Sequence, residues 1–120
     1  MSLLSRVQYN QAEYALFSAT AILTFYQEFF NVTYPLSKLD LMAVPDFSAG
    51  AMENWGLSKS RAPPVRTAAN VCFRVAVTFR TTMVLFNEAE SSNQAQEQVA
   101  VVISHELGHQ WFGNLVTMEW

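Results

Sequence analysis

The sequence predicts a mixed α/β (α+β) segment, and three observations carry that expectation. Leu16, Ala19, Leu23, Tyr26 and Phe30 recur at three- and four-residue steps, residues 38–44 alternate with a period of two, and a polar stretch at 87–98 runs into the apolar block 99–103. The implied order is helix, strand, loop and helix. At 120 residues the chain is long enough for one hydrophobic core and too short for two ordinary domains.

The first helix has Asn10 three residues ahead of Glu13, the spacing of a capping box, and should end near Asn31, ahead of Tyr34-Pro35. Its aromatic stripe reads as core packing. Between Lys38 and Val44, Leu39, Leu41 and Ala43 alternate with Asp40 and Met42, and Pro45 stops this strand. Residues 83–86 form a second short apolar run, also expected as a strand. Residues 87–98 read as a loop, with Asn93 and Gln96 as a cap for the next helix and Gly113 as its stop beyond Trp111 and Phe112. That makes a helix of about five turns, buried on most sides, with His105-Glu106-Leu107-Gly108-His109 in its C-terminal half.

Composition narrows the function. Charged residues are 14% of the chain, against roughly 25% in typical soluble domains, and aromatics are 13%, so the segment reads like the interior of something larger. A net charge of −3 offers no footprint for nucleic acid. The longest charge-free stretch of the first half, residues 14–27, falls short of the ~20 apolar residues of a membrane span, so none is expected. Arg6 follows two leucines rather than preceding an apolar run, unlike a signal peptide. Cys72 has no cysteine partner within the chain, and Asn31-Val32-Thr33 fits the glycosylation triplet.

On a helix, positions i and i+4 share a face, so the imidazoles of His105 and His109 can converge on one Zn²⁺ ion. Glu106, rotated by about 100°, is placed to act on a metal-bound water as general base, which is the chemistry of peptide hydrolysis. The pattern fixes only three residues of five, and helical histidines are often satisfied core groups. Burying two imidazoles and a carboxylate without partners, however, would be costly, and a metal removes the cost. Continuation as a metzincin would need glycine at 112 and histidine at 115, where this chain has Phe112 and Leu115. Glu119 is the sole acid after His109 and reads as structural.

Gly50-Ala51-Met52-Glu53-Asn54-Trp55-Gly56, followed by His105 to Thr117 (HELGHQWFGNLVT), resembles the M1 family of metallo-aminopeptidases, the aminopeptidase N group. The likeness extends to Tyr34-Pro35-Leu36, to Val44-Pro45-Asp46-Phe47 and to Val101-Val102-Ile103-Ser104, and covers roughly residues 8–120 apart from one block. It implies the amino-terminal part of a thermolysin-like (gluzincin) catalytic domain inside a larger enzyme, with residues 1–120 as a partial domain. It also implies that residues 50–54 are a substrate-binding edge strand: Glu53 would hold the free α-ammonium of a peptide, Gly50 and Ala51 would allow close backbone approach, and Met52 and Asn54 complete the strand. The third zinc ligand, a glutamate, and an oxyanion-stabilising tyrosine would lie past Trp120. The rival expectation is a truncated, non-catalytic chain lacking that third ligand.

Residues 58–76 depart from the family as an apparent insertion, because Val77-Thr78-Phe79-Arg80 fits the strand that should follow soon after the Glu53 strand. The block holds Lys59, Arg61, Arg66 and Arg74, no acid, and Pro63-Pro64. One reading is a surface loop closed by a strand, since Val71, Phe73, Val75, Val77 and Phe79 alternate. The other, favoured because a long basic loop would displace Glu53, is unspliced or mispredicted sequence.

Overall fold

A computed structural model describes residues 10–55 and 74–119. Six elements follow one another: α1 (Glu13–Phe30), β1 (Lys38–Val44), β2 (Ala51–Trp55), β3 (Arg74–Arg80), the single turn α2 (Thr81–Val84) and α3 (Asn93–Gly108). β1 has the bounds that its alternation and Pro45 set.

The last strand in sequence is the middle one in space. β3 pairs parallel with β1 and antiparallel with β2, giving the order β1-β3-β2. Directly paired residues project to the same side of a sheet. Val75, Val77 and Phe79, all 0% exposed, therefore share one face with their partners Leu39, Leu41 and Ala43 on β1 and with Trp55, Glu53 and Ala51 on β2. That face meets the helices. Ala15 and Ala19 of α1, Val84 of α2, and Val99, Ile103 and Leu107 of α3 complete the core against it.

Burial of this kind explains why residues 75–79 form the centre of the sheet: β-branched and aromatic side chains suit a strand covered by helices on one face and flanked by partners on both edges. β3 starts at Arg74, so residues 74–76 of the block set apart above belong to the central strand, while residues 58–73 lie outside the described residues.

Four local expectations are corrected. The Asn10–Glu13 capping box does not form: Asn10 sits in a preceding helical turn, and the N-cap of α1 is Ala12, with no side-chain cap bond. Residues 83–86 are not a strand, because the chain leaves β3 in a helical turn; Met83 and Val84 end α2, and Leu85 donates its N–H back to Thr81 O. α3 begins at Asn93, the residue expected as its cap. Its cap is Ser92, whose extended backbone lets Oγ accept from Ala95 N at 3.2 Å. Finally, α3 ends at Gly108 with His109 as C-cap, and it is buried along one stripe only, leaving Val101 59% exposed. The aromatic stripe of α1 also divides: Tyr26 and Phe30 turn inward, while Leu16, Phe17, Phe25 and Phe29 are exposed.

At its other end α1 closes as expected. Asn31 adopts φ 52° and donates its N–H to Glu28 O, a left-handed C-cap that asparagine tolerates. Among the described residues no helix is long and apolar enough to cross a membrane.

Candidate metal and peptide site

His105 and His109 lie one turn apart at the end of α3, with rings perpendicular and their centroids 4.7 Å apart. Their Nε2 atoms approach to 3.1 Å. Two nitrogens at that separation, each about 2.0–2.1 Å from a common ion, would subtend an angle of about 95–100° there, close to the tetrahedral value, so the pair fits two ligands of one zinc. Among the described residues no group of three His, Cys, Asp or Glu side chains suited to a metal is found. The donor set in hand is the histidine pair.

The turn after the helix positions the second imidazole. Phe112 O lies 3.2 Å from His109 Nδ1. Asn114, Leu115 and Val116 each donate a backbone N–H five residues back, to His109, Gln110 and Trp111, and Gly113 takes φ +117°, a value that side-chain-bearing residues rarely adopt.

The helix end is fastened to α1. Tyr26 packs its hydroxyl against Ser104 Oγ at 2.8 Å, directly before His105, and the Trp111 indole donates to Val32 O at 3.1 Å. Tyr26, Phe30 and Tyr34 surround the Trp111 ring, and Phe30 also meets Phe112 edge-on at 5.1 Å. Half of the aromatic stripe on α1 thus supports the turn that follows the histidine pair. A buried tyrosine or tryptophan needs a partner for its polar atom, the one sequence-level signal that could have pointed to these links.

Glu106 faces inward, 6% exposed, with Oε2 lacking a hydrogen-bond partner. Burial, then hydrogen bonding with Glu53, then the charge of Glu53 push its pKa up to about 7, and the nearby His109 pulls the other way. Glu53 and Glu106 therefore meet, although one belongs to a strand and the other to a helix 53 positions later. Register explains the meeting: Glu53 is the partner of Val77, so it projects from the face that α3 covers.

The residues expected to act together surround an open cavity of about 530 Å³. Gly50, Ala51, Met52 and Glu53 form one wall, and His105, Glu106 and His109 the other. Gly50 adopts φ +84° with nothing within 4 Å of where a Cβ would sit. Asn54 is not part of this lining. Its Nδ2 donates on the opposite side of the sheet to Met52 O, Ala76 O and Thr78 Oγ1, at 3.1, 3.1 and 3.2 Å. Met83, Gln98, Val101 and Val102 also line the cavity and were not singled out by sequence; only the fold places α2 and the first turns of α3 there.

Comparison with known proteins places the chain in one family. The model of the Peptidase family M1 domain matches residues 14–65 and 67–120. Over 111 residues the chain is 46% identical to endoplasmic reticulum aminopeptidase 1 of Mus musculus, 49% to endoplasmic reticulum aminopeptidase 2 of Homo sapiens and 46% to aminopeptidase M1-D of Oryza sativa subsp. japonica. Each alignment covers 92% of this chain and 10% of the relative, so the chain spans about a tenth of the length of the curated relatives it matches.

Proposed function

Because the chain belongs to peptidase family M1, we propose that the full-length protein is a zinc aminopeptidase, with this segment supplying two metal ligands, the general base and the amine anchor. The observation that carries the reading is the convergence of Glu53 and Glu106 beside the His105–His109 pair in one cavity. His105 and His109 would hold one Zn²⁺, which when bound polarises a substrate carbonyl and lowers the pKa of a coordinated water. Thermolysin-like architecture for the complete domain belongs to the same proposal.

Glu106 takes the proton from the attacking water and returns it to the leaving amine. A carboxylate whose pKa is held near 7 by its surroundings suits both halves of that transfer at neutral pH. Glu53 accepts hydrogen bonds from the α-ammonium of the peptide. Two carboxyls side by side repel as anions, and a cation brought between or beside them is attracted by both, which favours a positively charged amino terminus over a neutral blocked one. β2 is one of the two outer strands of the sheet, and its edge away from β3, unpaired among the described residues, offers backbone groups along which a peptide can lie. An amine fixed at Glu53 lets the chain reach the metal helix with its first peptide bond, hence cleavage one residue at a time.

Glu106→Gln in the full-length protein tests the assignment. Zinc content should be retained while hydrolysis of aminoacyl substrates falls by about 10²–10⁴-fold. Turnover at the normal rate would remove Glu106 from the role of base, and efficient cutting of Nα-acetylated peptides by the unmodified enzyme would show an endopeptidase instead.

A second expectation concerns the 120 residues alone. With the histidine pair as the only metal-binding group among the described residues, the isolated chain should bind zinc weakly and have no turnover. A zinc titration with a peptidase assay on this chain decides it.

A further inference from the structure

We propose that Gly113 is a positioning residue for the metal site: by aiming the Phe112 carbonyl at His109 Nδ1 it fixes the proton of that imidazole on Nδ1 and leaves Nε2 as a lone pair facing the metal position. The inference rests on the zinc reading above and adds a residue outside the histidine motif.

The geometry carries it in three steps. A carbonyl oxygen can only accept, so a hydrogen bond between Phe112 O and His109 Nδ1 at 3.2 Å requires the proton to sit on Nδ1. The other nitrogen, 3.1 Å from His105 Nε2, is then an acceptor in the protein without metal and a ligand in the protein with it. His109 keeps one tautomer in both states, and His105 is the imidazole whose Nε2 gives up its proton to receive the ion.

The carbonyl is aimed by one peptide plane. Phe112 C=O and Gly113 N–H lie on opposite edges of it: the first faces His109, and the second donates to Val116 O at 2.9 Å. Rotation about the N–Cα bond of Gly113 turns this plane relative to the chain that follows, and the observed φ of +117° is one that an L side chain resists. Space is not the obstacle. A Cβ on Gly113 would lie 3.7 Å from His109 Nδ1 and 3.8 Å from His109 O, both ordinary contacts. An alanine there relieves its strain by rotating φ, and that rotation withdraws the carbonyl from the imidazole.

The test compares Gly113→Ala with Asp46→Ala in the full-length protein. Asp46 is also at positive φ, 52°, but lies in the turn that follows β1, so its substitution strains the backbone away from α3 and the imidazoles. Zinc affinity, measured by competition with a chelator at fixed pH, should weaken by roughly 10–100-fold in Gly113→Ala and stay at the wild-type value in Asp46→Ala. Histidine ¹⁵N spectra of the metal-free protein, with the His109 signals assigned by their loss in His109→Gln, should show His109 protonated at Nδ1 in the wild type and as mixed tautomers in Gly113→Ala. Equal zinc affinity in the two alanine variants, or a wild-type His109 protonated at Nε2, overturns the inference. The wild-type spectrum decides it even if Gly113→Ala fails to fold. A wild-type protein that binds no zinc at all would sink the aminopeptidase reading instead, and the tautomer would still report on Gly113.

Discussion

The two walls of the cavity are held by different means. The histidine wall is local: both imidazoles stand on one helix, and the turn after them is pinned to α1 by Tyr26, Phe30, Val32 and Trp111. The Glu53 wall depends on partners distant in sequence, because the direction of its carboxylate is set by the pairing of β2 with β3. A helix fixes which side chains share a face by its own hydrogen bonds, whereas a strand does so only through its neighbour, and a slip of one residue reverses every side chain. Damage to the first wall should therefore be abrupt, and damage to the second graded.

The largest effect is expected on the histidine side. His105→Ala leaves a single imidazole from this segment, and zinc should fall below detection in the purified full-length protein, with activity lost in step. Retention of stoichiometric zinc would mean that the ion is held elsewhere. Next comes Glu53→Gln, which keeps the shape of the strand and removes its charge. Losing one member of a close charge pair costs about 2–4 kcal/mol, so kcat/KM on substrates with a free amine should fall by roughly thirty- to a thousandfold while zinc content stays unchanged. An equal fall on amine-blocked substrates would show that Glu53 acts on the metal side and not on the ammonium.

Asn54→Ala separates position from contact. Asn54 lies across the sheet from the cavity, and its amide ties β2 to Ala76 and Thr78 of β3. Losing those bonds should lower stability by about 1–2 kcal/mol and kcat/KM by about tenfold, through a Glu53 that is less well aimed. Asn54→Asp keeps the size but cannot donate to Ala76 O, so it should not restore either quantity. If alanine lowers stability and leaves kcat/KM alone, the strand wall is stiffer than its amide clamp suggests.

How much of this was readable beforehand follows the same division. β1 has its expected bounds because alternation and a proline are local signals. The histidine pair was legible because i and i+4 meet on any helix, yet the helix was expected to run to Trp111, and the left turn at Gly113 that ends the motif turn cannot be told from an ordinary stop by residue type. The closeness of Glu53 to Glu106 came from family likeness alone: no periodicity says that residues 53 and 77 are partners. The strand at 83–86 failed for a related reason. A short apolar run is ambiguous by itself, and here it begins inside the single helical turn that follows the central strand.

The smallest effect tests whether the pinned side is complete. Tyr34 packs near Trp111 and donates its backbone N–H to Gln27 Oε1, yet its hydroxyl is buried with no hydrogen-bond partner among the described residues, and burial pushes its pKa up to about 12. Removing an unsatisfied buried hydroxyl should be neutral or stabilising, so Tyr34→Phe is expected to gain up to about 1 kcal/mol at pH 7 in denaturant unfolding. The pH dependence has a definite sign. The unfolded tyrosine ionises near its ordinary value of about 10 and the folded one near 12, so the folded wild type holds its proton while the unfolded chain releases one, and stability drops as pH rises through that window. Phenylalanine has no proton to release, and the advantage of the variant should widen above pH 10. A loss of stability on removing the hydroxyl would mean that in the full-length protein another segment bonds to it, and that the metal turn is braced from outside these 120 residues as well as by α1.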